Sequence, residues 1–301
     1  MKAIETRELH KAYAKQSIVK GIDLIVHKGE IFGFLGRNGA GKSTFINMLT
    51  GIIRPTSGEY ALLGVQGPSE EVKKRIGVMP DYTTFYGSMN AVDHLIYLSA
   101  LSGNPQSKER CLEVLHAVGL ESHAFKKAGK YSFGMKKKLG IAQAIIHDPE
   151  LIFLDEPTSG MDPESVIEIH KLIEHLQKEK KTIFMTSHNL YEVEKICTRI
   201  AIMKDGSLVS IGSMEELRAH YRSSLTVKLK HAPVPFAEQA VLQQWLEANG
   251  TNLEVHPTNI VITLESEKKI AEMIRAVQRS KSEVYRVEVD EPSLEDIFLN
   301  E

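Results

Sequence analysis

The sequence predicts an α/β fold with an antiparallel β part at the front, a helical insertion in the middle and a small α+β domain at the end. Three observations carry this. A short apolar run, Ile31-Phe32-Gly33-Phe34-Leu35, leads into a glycine-rich loop and then into a helix pattern. Two further runs, Leu151-Ile152-Phe153-Leu154 and Thr182-Ile183-Phe184-Met185, lack alternation, as strands buried on both faces of a parallel sheet do. After residue 221 the pattern changes to β-α-β-β-α-β, a ferredoxin-like order.

Length and composition agree. A chain of 301 residues has room for one large domain and one small one. The expected division is 1–220 and 221–301, with the helical insertion at 83–148. Hydrophobic residues at 42% and charged residues at 25% are the balance of an ordinary folded protein. The net charge of −2 argues against broad attraction to nucleic acid or to acidic lipid. Cys111 and Cys197 are too few for a disulfide framework, which favours a reducing compartment. The first residues carry acids and no apolar run, so no secretory signal is expected. No stretch approaches the roughly 20 apolar residues that span a bilayer. Work at a membrane therefore requires a second chain to supply the spanning helices.

The elements follow in order. Ile22, Leu24 and Val26 alternate with Asp23, Ile25 and His27, the period of a half-buried strand. Lys28-Gly29-Glu30 is a turn before the apolar run at 31–35. A helix is expected over 42–50, with Phe45, Ile46 and Leu49 on one face. Helical spacing dominates from 93 to 147. A helix near 163–178 separates the two buried strands, and another follows at 190–197. Lys204-Asp205-Gly206-Ser207 marks a hairpin between 200–203 and 208–211, and Ser213 with Glu216 forms a capping box. In the last part, strands are expected at 225–229, 253–255, 260–264 and 284–289. The helices there are 237–248, with Val241, Trp245 and Leu246 on one face, and 268–278.

Gly36-Arg37-Asn38-Gly39-Ala40-Gly41-Lys42-Ser43-Thr44 matches G-x-x-x-x-G-K-[ST], the phosphate-cradling P-loop. The glycines let backbone N–H groups face phosphate oxygens, and the following helix presents its positive end. Lys42 can reach the β and γ phosphates, and Ser43 can ligate Mg²⁺. The buried run at 151–154 ends in Asp155-Glu156. Successive strand residues point oppositely, so Asp155 is assigned to the metal and Glu156 to the general base.

Between these lies Tyr131-Ser132-Phe133-Gly134-Met135-Lys136-Lys137-Lys138-Leu139. With it, residues 1–220 resemble the ATP-binding subunit of an ABC transporter, of the drug-resistance exporter type. The resemblance places Lys42 and Ser43 in Walker A, Asp155 and Glu156 in Walker B, and Asp162 in the D-loop. His188 falls at the switch histidine, and Tyr13 where an aromatic stacks on adenine. Ser132 and Gly134 keep the signature's pattern, Leu-Ser-Gly-Gly-Gln, while Phe133 and Met135 depart from it. Ser132 is a good N-cap, so its hydroxyl and the helix's free N–H groups can meet a γ-phosphate held by another subunit. The plainer reading of this stretch is a helix start followed by a solvated lysine run. Asp81 stands where the resemblance expects the Q-loop glutamine; it is taken as linked to the metal, with a loop or capping acid as the other reading.

The resemblance implies an ATPase that uses ATP and Mg²⁺. It implies a homodimer, or a heterodimer with a second ABC ATPase, that sandwiches ATP between P-loop and signature. Dimer closure would drive separately encoded transmembrane permease subunits. Location would be peripheral, on the cytoplasmic face, touching the membrane only through the permease, with no nucleic acid partner. The signature and the tail Glu291-Pro292-Ser293-Leu294-Glu295-Asp296-Ile297-Phe298 point to export. The rivals are a non-transport ABC ATPase and a small-molecule P-loop kinase. A single P-loop, no long coiled-coil insertion, and the presence of Ser132 and His188 weigh against them.

Overall fold

The computed structural model describes residues 1–14, 16–67, 69–81, 84–221 and 225–290. The tail at 291–298, read above as pointing to export, lies outside the described residues. Contacts divide the chain into two compact units, Met1–Ser213 and Met214–Glu301.

The first unit opens with a long hairpin, β1 (Lys2–Tyr13) and β2 (Gln16–His27), followed by β3 (Ile31–Leu35) and α1 (Lys42–Leu49). Next come β4 (Ser57–Leu62), the short β5 (Val65–Gln66), α2 (Glu70–Lys73) and β6 (Ile76–Met79). Three helices fill the insertion: α3 (Ala91–Leu101), α4 (Lys108–Ala117) and α5 (Phe133–Ile145). Then follow β7 (Leu151–Asp155), α6 (Pro163–Lys178), β8 (Thr182–Ser187), α7 (Leu190–Ile196), β9 (Arg199–Lys204) and β10 (Ser207–Ser213). Asn90, Ser107 and Ser132 cap the three insertion helices, each accepting from a backbone N–H three residues on.

Two sheets result. One is antiparallel, in the order β2-β1-β4-β5. The other runs β10-β9-β3-β8-β7-β6 and is parallel except at β10. All residues of β3, β7 and β8 are buried, which is why their sequences do not alternate. Phe32, Phe34, Phe45, Phe153 and Phe184 lie together in the core, with Phe34 and Phe45 stacked at 4.9 Å. That contact locks α1 onto the sheet directly behind the glycine-rich loop. The β9–β10 turn sets Asp205 at φ 48 and Gly206 at φ 87, the pair of positive values a two-residue hairpin turn needs.

The second unit comprises α8 (Met214–Tyr221), β11 (Leu225–His231), α9 (Phe236–Asn249), β12 (Thr251–His256), β13 (Asn259–Leu264), α10 (Glu267–Arg279) and β14 (Val284–Asp290). Its antiparallel sheet has the order β12-β13-β11-β14, the split β-α-β arrangement. It has its own core, built from Val227, Leu229, Leu246, Ile262, Met273 and Val277 among others. One expectation is corrected: α9 buries Leu242 and Leu246, while Val241 is 63% exposed. Leu242 and Leu246, four residues apart, align one turn above the other and face the sheet.

Candidate functional site

The loop between β3 and α1 can only be built with glycine at its two ends. A Cβ on Gly36 would come within 2.6 Å of the Met203 carbonyl oxygen. Gly41, the residue capping α1, sits at φ 106, and a Cβ there would meet Met203 Cε at 2.8 Å and Ile18 O at 2.9 Å. Ala40 packs behind the loop against Gly36. The backbone thus coils tightly ahead of α1 and leaves the helix's first N–H groups facing outward, a ready anion site.

The buried Lys42 ammonium donates to Gly36 O at 2.7 Å and stands 3.3 Å from Glu156 Oε1. That second contact is Coulombic: Oε1 has no aligned hydrogen-bond donor among the described residues. Ser43 follows on the first turn of α1, near enough to Asp155 for its hydroxyl to favour the charged carboxylate. Burial pushes the Asp155 carboxyl above its ordinary value. The Thr186 and Ser43 hydroxyls pull it back, and the Asp81 and Glu156 carboxylates add to the rise.

Glu156 leaves β7 with φ 51, a left-handed conformation that is uncommon outside glycine. Thr186 on β8 connects both acids: its hydroxyl donates to Asp155 Oδ1 and accepts from the Glu156 N–H at 2.9 Å. The other Glu156 oxygen, Oε2, lies 2.8 Å from His188 Nδ1. A carboxylate partner selects the tautomer with the proton on Nδ1.

Tyr13, Asn38, Gly39, Gly41, Lys42, Ser43, Thr44, Asp81 and Glu156 line one cavity of about 370 Å³, together with Ile18 and Arg37. Asp155 lies behind Ser43, whose hydroxyl lowers its carboxyl pKa, and His188 reaches the cavity through Glu156. Tyr13, at the end of β1, is 48% exposed, and Lys11 Nζ sits 4.9 Å from its ring centroid. Ser132, Gly134 and Asp162 are not among the cavity's lining residues. Ser132 caps α5, accepting from Met135 N at 3.3 Å, and Gly134 lies on that helix's first turn. Asp162 caps α6, accepting from Ser165 N at 3.0 Å, and these backbone donors hold its carboxyl below the ordinary value.

A hard divalent cation takes oxygen ligands, and the Ser43 hydroxyl and Asp155 carboxylate are of that kind and near enough for the hydroxyl to lower the carboxyl pKa. Among the described residues no three His, Cys, Asp or Glu side chains form a closed metal cluster. The donor set therefore fits Mg²⁺ completed by phosphate and water, the usual habit of that ion.

Two features of the site escaped sequence reasoning. Thr186 has the signal of a hydroxyl at the end of a buried strand, beside the predicted acids. Lys137 does not belong to a solvated run: it is 5% exposed and binds Asp81 and Glu156. Its spacing from Ile141 and Ile145, four and eight residues on, places it on the buried face of α5. Lys138 pairs with Glu168, and only Lys136 is exposed.

Comparison with known proteins identifies the family and the fold. The ABC transporter family profile matches residues 19–159. A second profile, the C-terminal domain of DrrA1-3-like ATP-binding proteins, matches 212–301. The bacitracin transport ATP-binding protein BcrA of Bacillus licheniformis is 35% identical, over 98% of this chain and 96% of its own. The linearmycin resistance ATP-binding protein LnrL of Bacillus subtilis (strain 168) is 32% identical, over 99% and 97%. Both alignments thus include the second unit as well as the first. Among solved structures, an ATP-binding subunit of an ABC transporter superposes with a TM-score of 0.65 at 25% identity, covering 73% of this chain and 93% of that one. A dimeric ATP-binding cassette bound to ADP and phosphate gives 0.65 at 22%, covering 70% and 98%, and shows the shared fold.

Proposed function

This chain belongs to the ABC transporter family of ATP-binding subunits, an ATP-hydrolysing transporter motor, and on that premise we propose that it drives drug-resistance export. Relatives aligned along nearly the whole chain are named for bacitracin transport and linearmycin resistance, which supports that direction. The same full-length agreement disfavours a non-transport ABC ATPase.

The observation that carries the reading is the meeting of Lys42, the Ser43–Asp155 pair and the Glu156–His188 pair on one cavity. ATP lies with its phosphates on the 36–44 loop and its adenine against Tyr13. Lys42 turns from Glu156 to the β and γ phosphate oxygens, an exchange of one anionic partner for another. Ser43 and Asp155 would hold Mg²⁺, which would supply charge neutralisation at the phosphates. A Glu156 oxygen takes the proton of the attacking water as the water oxygen bonds to the γ-phosphorus and the bond to the ADP oxygen breaks. His188 holds the other Glu156 oxygen and so fixes the direction of the base. Ser132, Gly134 and Asp162, which do not line this cavity, complete the site of a second copy or of a related ATPase in a dimer. The dimer works on the cytoplasmic face of the membrane, bound to a separate permease.

The test is ATPase activity of the purified chain together with its recovery from solubilised membranes. Turnover that disappears in Glu156→Gln, and co-purification with a polytopic membrane protein, are expected. An active ATPase recovered with no membrane partner returns the question to the non-transport reading.

A further inference from the structure

We propose that Lys137 is a positioning residue for hydrolysis, holding Glu156 in its productive backbone conformation, and that it works only as one half of a charge pair with Asp81. The proposal rests on the reading of Glu156 as the base.

An ammonium has three protons to donate. Lys137 Nζ meets three oxygens: Asp81 O at 3.0 Å, Asp81 Oδ1 at 2.9 Å and Glu156 O at 2.9 Å. Every donor is used, and the group is almost wholly buried. The three oxygens come from the loop after β6 and from the residue that follows β7, so a single side chain of α5 joins both to the insertion.

The contact with Glu156 falls where the chain most needs one. A left-handed conformation is disfavoured for a residue with a Cβ, and it persists only where the surroundings hold it. Here the holding is two-sided. Thr186 Oγ1 accepts the Glu156 N–H, and Lys137 donates to its carbonyl. With one side removed, the peptide relaxes towards ordinary values and the carboxylate swings away from its aim between Lys42 and His188. Lys137 is not among the residues lining the cavity, so its loss should leave nucleotide contacts in place.

Asp81 is explained by the same geometry. A buried ammonium needs a counter-charge, and leaving it unpaired is strongly unfavourable. Glutamine, the residue that the resemblance expects at 81, would accept one hydrogen bond but leave the charge standing. The carboxylate at 81 is thus read as the partner of Lys137 rather than as a ligand in its own right. Replacing it with the residue common elsewhere should harm this chain.

The experiment is a double-mutant cycle on the full-length protein with Asp81→Gln, Lys137→Gln and the double variant. ATPase kcat and KM, equilibrium ATP binding and thermal midpoint are read for each. Both single variants are expected to lose turnover by roughly ten- to a hundred-fold, the scale of a misplaced catalytic group. ATP affinity of Lys137→Gln should stay within about two-fold, because Lys137, unlike Asp81, does not line the cavity. The double variant, with no buried charge left unpaired, should exceed the Asp81→Gln single in turnover. Lys137→Arg, which keeps the charge, should retain more activity than Lys137→Gln. Turnover of Lys137→Gln within two-fold of wild type would overturn the proposal, as would single losses that merely multiply in the double. Loss of ATP binding in parallel with thermal stability would also overturn it, by showing a merely structural lysine. Failure of the underlying reading looks different: Glu156→Gln itself would then remain active.

Discussion

His188 Nδ1 donates to Glu156 Oε2 at 2.8 Å, while Lys42 Nζ faces the other oxygen of the same carboxylate at 3.3 Å. A carboxylate flanked in this way has a partner standing at each oxygen, and an attacking water needs one of the two sides open. That side opens when one partner leaves. Lys42 is the partner that phosphate can draw off, because it lies at the start of α1 among the loop's N–H groups. His188 follows the end of β8 and stays with Glu156. Binding and proton abstraction are therefore linked through one lysine, and the two can be separated by mutation.

Glu156→Gln should keep ATP affinity and lose turnover by about 10²–10⁴-fold, the usual contribution of a general base. If the chain dimerises around ATP, this variant should accumulate as an ATP-bound dimer on gel filtration. Lys42→Ala should instead weaken ATP binding itself, since it removes a charge-assisted contact to phosphate. Equilibrium binding beside steady-state kinetics distinguishes the two. Hydrolysis by Glu156→Gln near the wild-type rate would remove Glu156 from the role of base.

Tyr13→Ala tests the adenine end. The ring is half-exposed at the cavity edge with one face under Lys11, which leaves the other face for a base. Aromatic stacking contributes roughly 0.5–1.5 kcal/mol, so ATP affinity should fall several-fold. GTP should lose about as much, because a ring face does not read base edges. Unchanged affinity would make Tyr13 an ordinary strand aromatic.

How far the sequence could be read differs by element, for physical reasons. The strands at 31–35, 151–155 and 182–187 were legible because burial on both faces leaves an unbroken apolar run. The loop at 36–44 was legible because close backbone approach and positive φ leave glycine almost no substitute. Lys137 was not legible, because a lysine between two lysines reads as solvated surface until its counter-charge, far off in the sequence at Asp81, is known. Val241 was misplaced on the buried face of α9 because Val241, Leu242, Trp245 and Leu246 allow two overlapping helical faces, and packing against the sheet chooses between them. The left-handed Glu156 had no sequence signal at all, since its conformation is imposed by Thr186 and Lys137 from other elements.

Glu150→Gln should destabilise in a pH-dependent way. The Arg75 guanidinium, with Lys28 on the other oxygen, holds the Glu150 carboxyl down at about 2 from an ordinary 4.5, against a smaller opposing effect of burial. A lowered value in the folded state gives stability that is present above about pH 4.5 and lost as the pH falls towards 2. Glu150 is nearly half-exposed, so solvent screening limits the effect to about 0–1 kcal/mol. Urea unfolding at pH 7 and near pH 3.5 should show the variant's deficit shrinking in acid. A deficit that grows in acid would contradict the assignment.

Ser132→Arg examines the second half of the composite site. Ser132 caps α5 but does not line the cavity on its own chain. A bulky cation there should leave ATP binding nearly normal, prevent an ATP-driven dimer and reduce turnover severely. Loss of the cap alone costs only about 1 kcal/mol, so the variant should still fold. Full-rate hydrolysis by a monomeric Ser132→Arg protein would exclude a shared site.

The last expectation concerns the independence of the two units. All the residues assigned to ATP chemistry, from Tyr13 to His188, fall within Met1–Ser213. That unit holds a large cluster in which β1, β2, β4, α1, β3, β7 and β8 all take part. The second unit encloses its own cluster between its sheet and the helices α9 and α10. Each core is built from residues of its own unit, as for domains that fold alone. A chain ending at Ser213 should therefore fold, unfold cooperatively and bind ATP within a few-fold of the full-length protein. A separate piece from Met214 onward should give a cooperative transition of its own. Calorimetry of the full chain should then resolve into the two transitions seen in the pieces. An insoluble or ATP-blind Met1–Ser213 fragment would show instead that the second unit is needed to complete the ATPase fold.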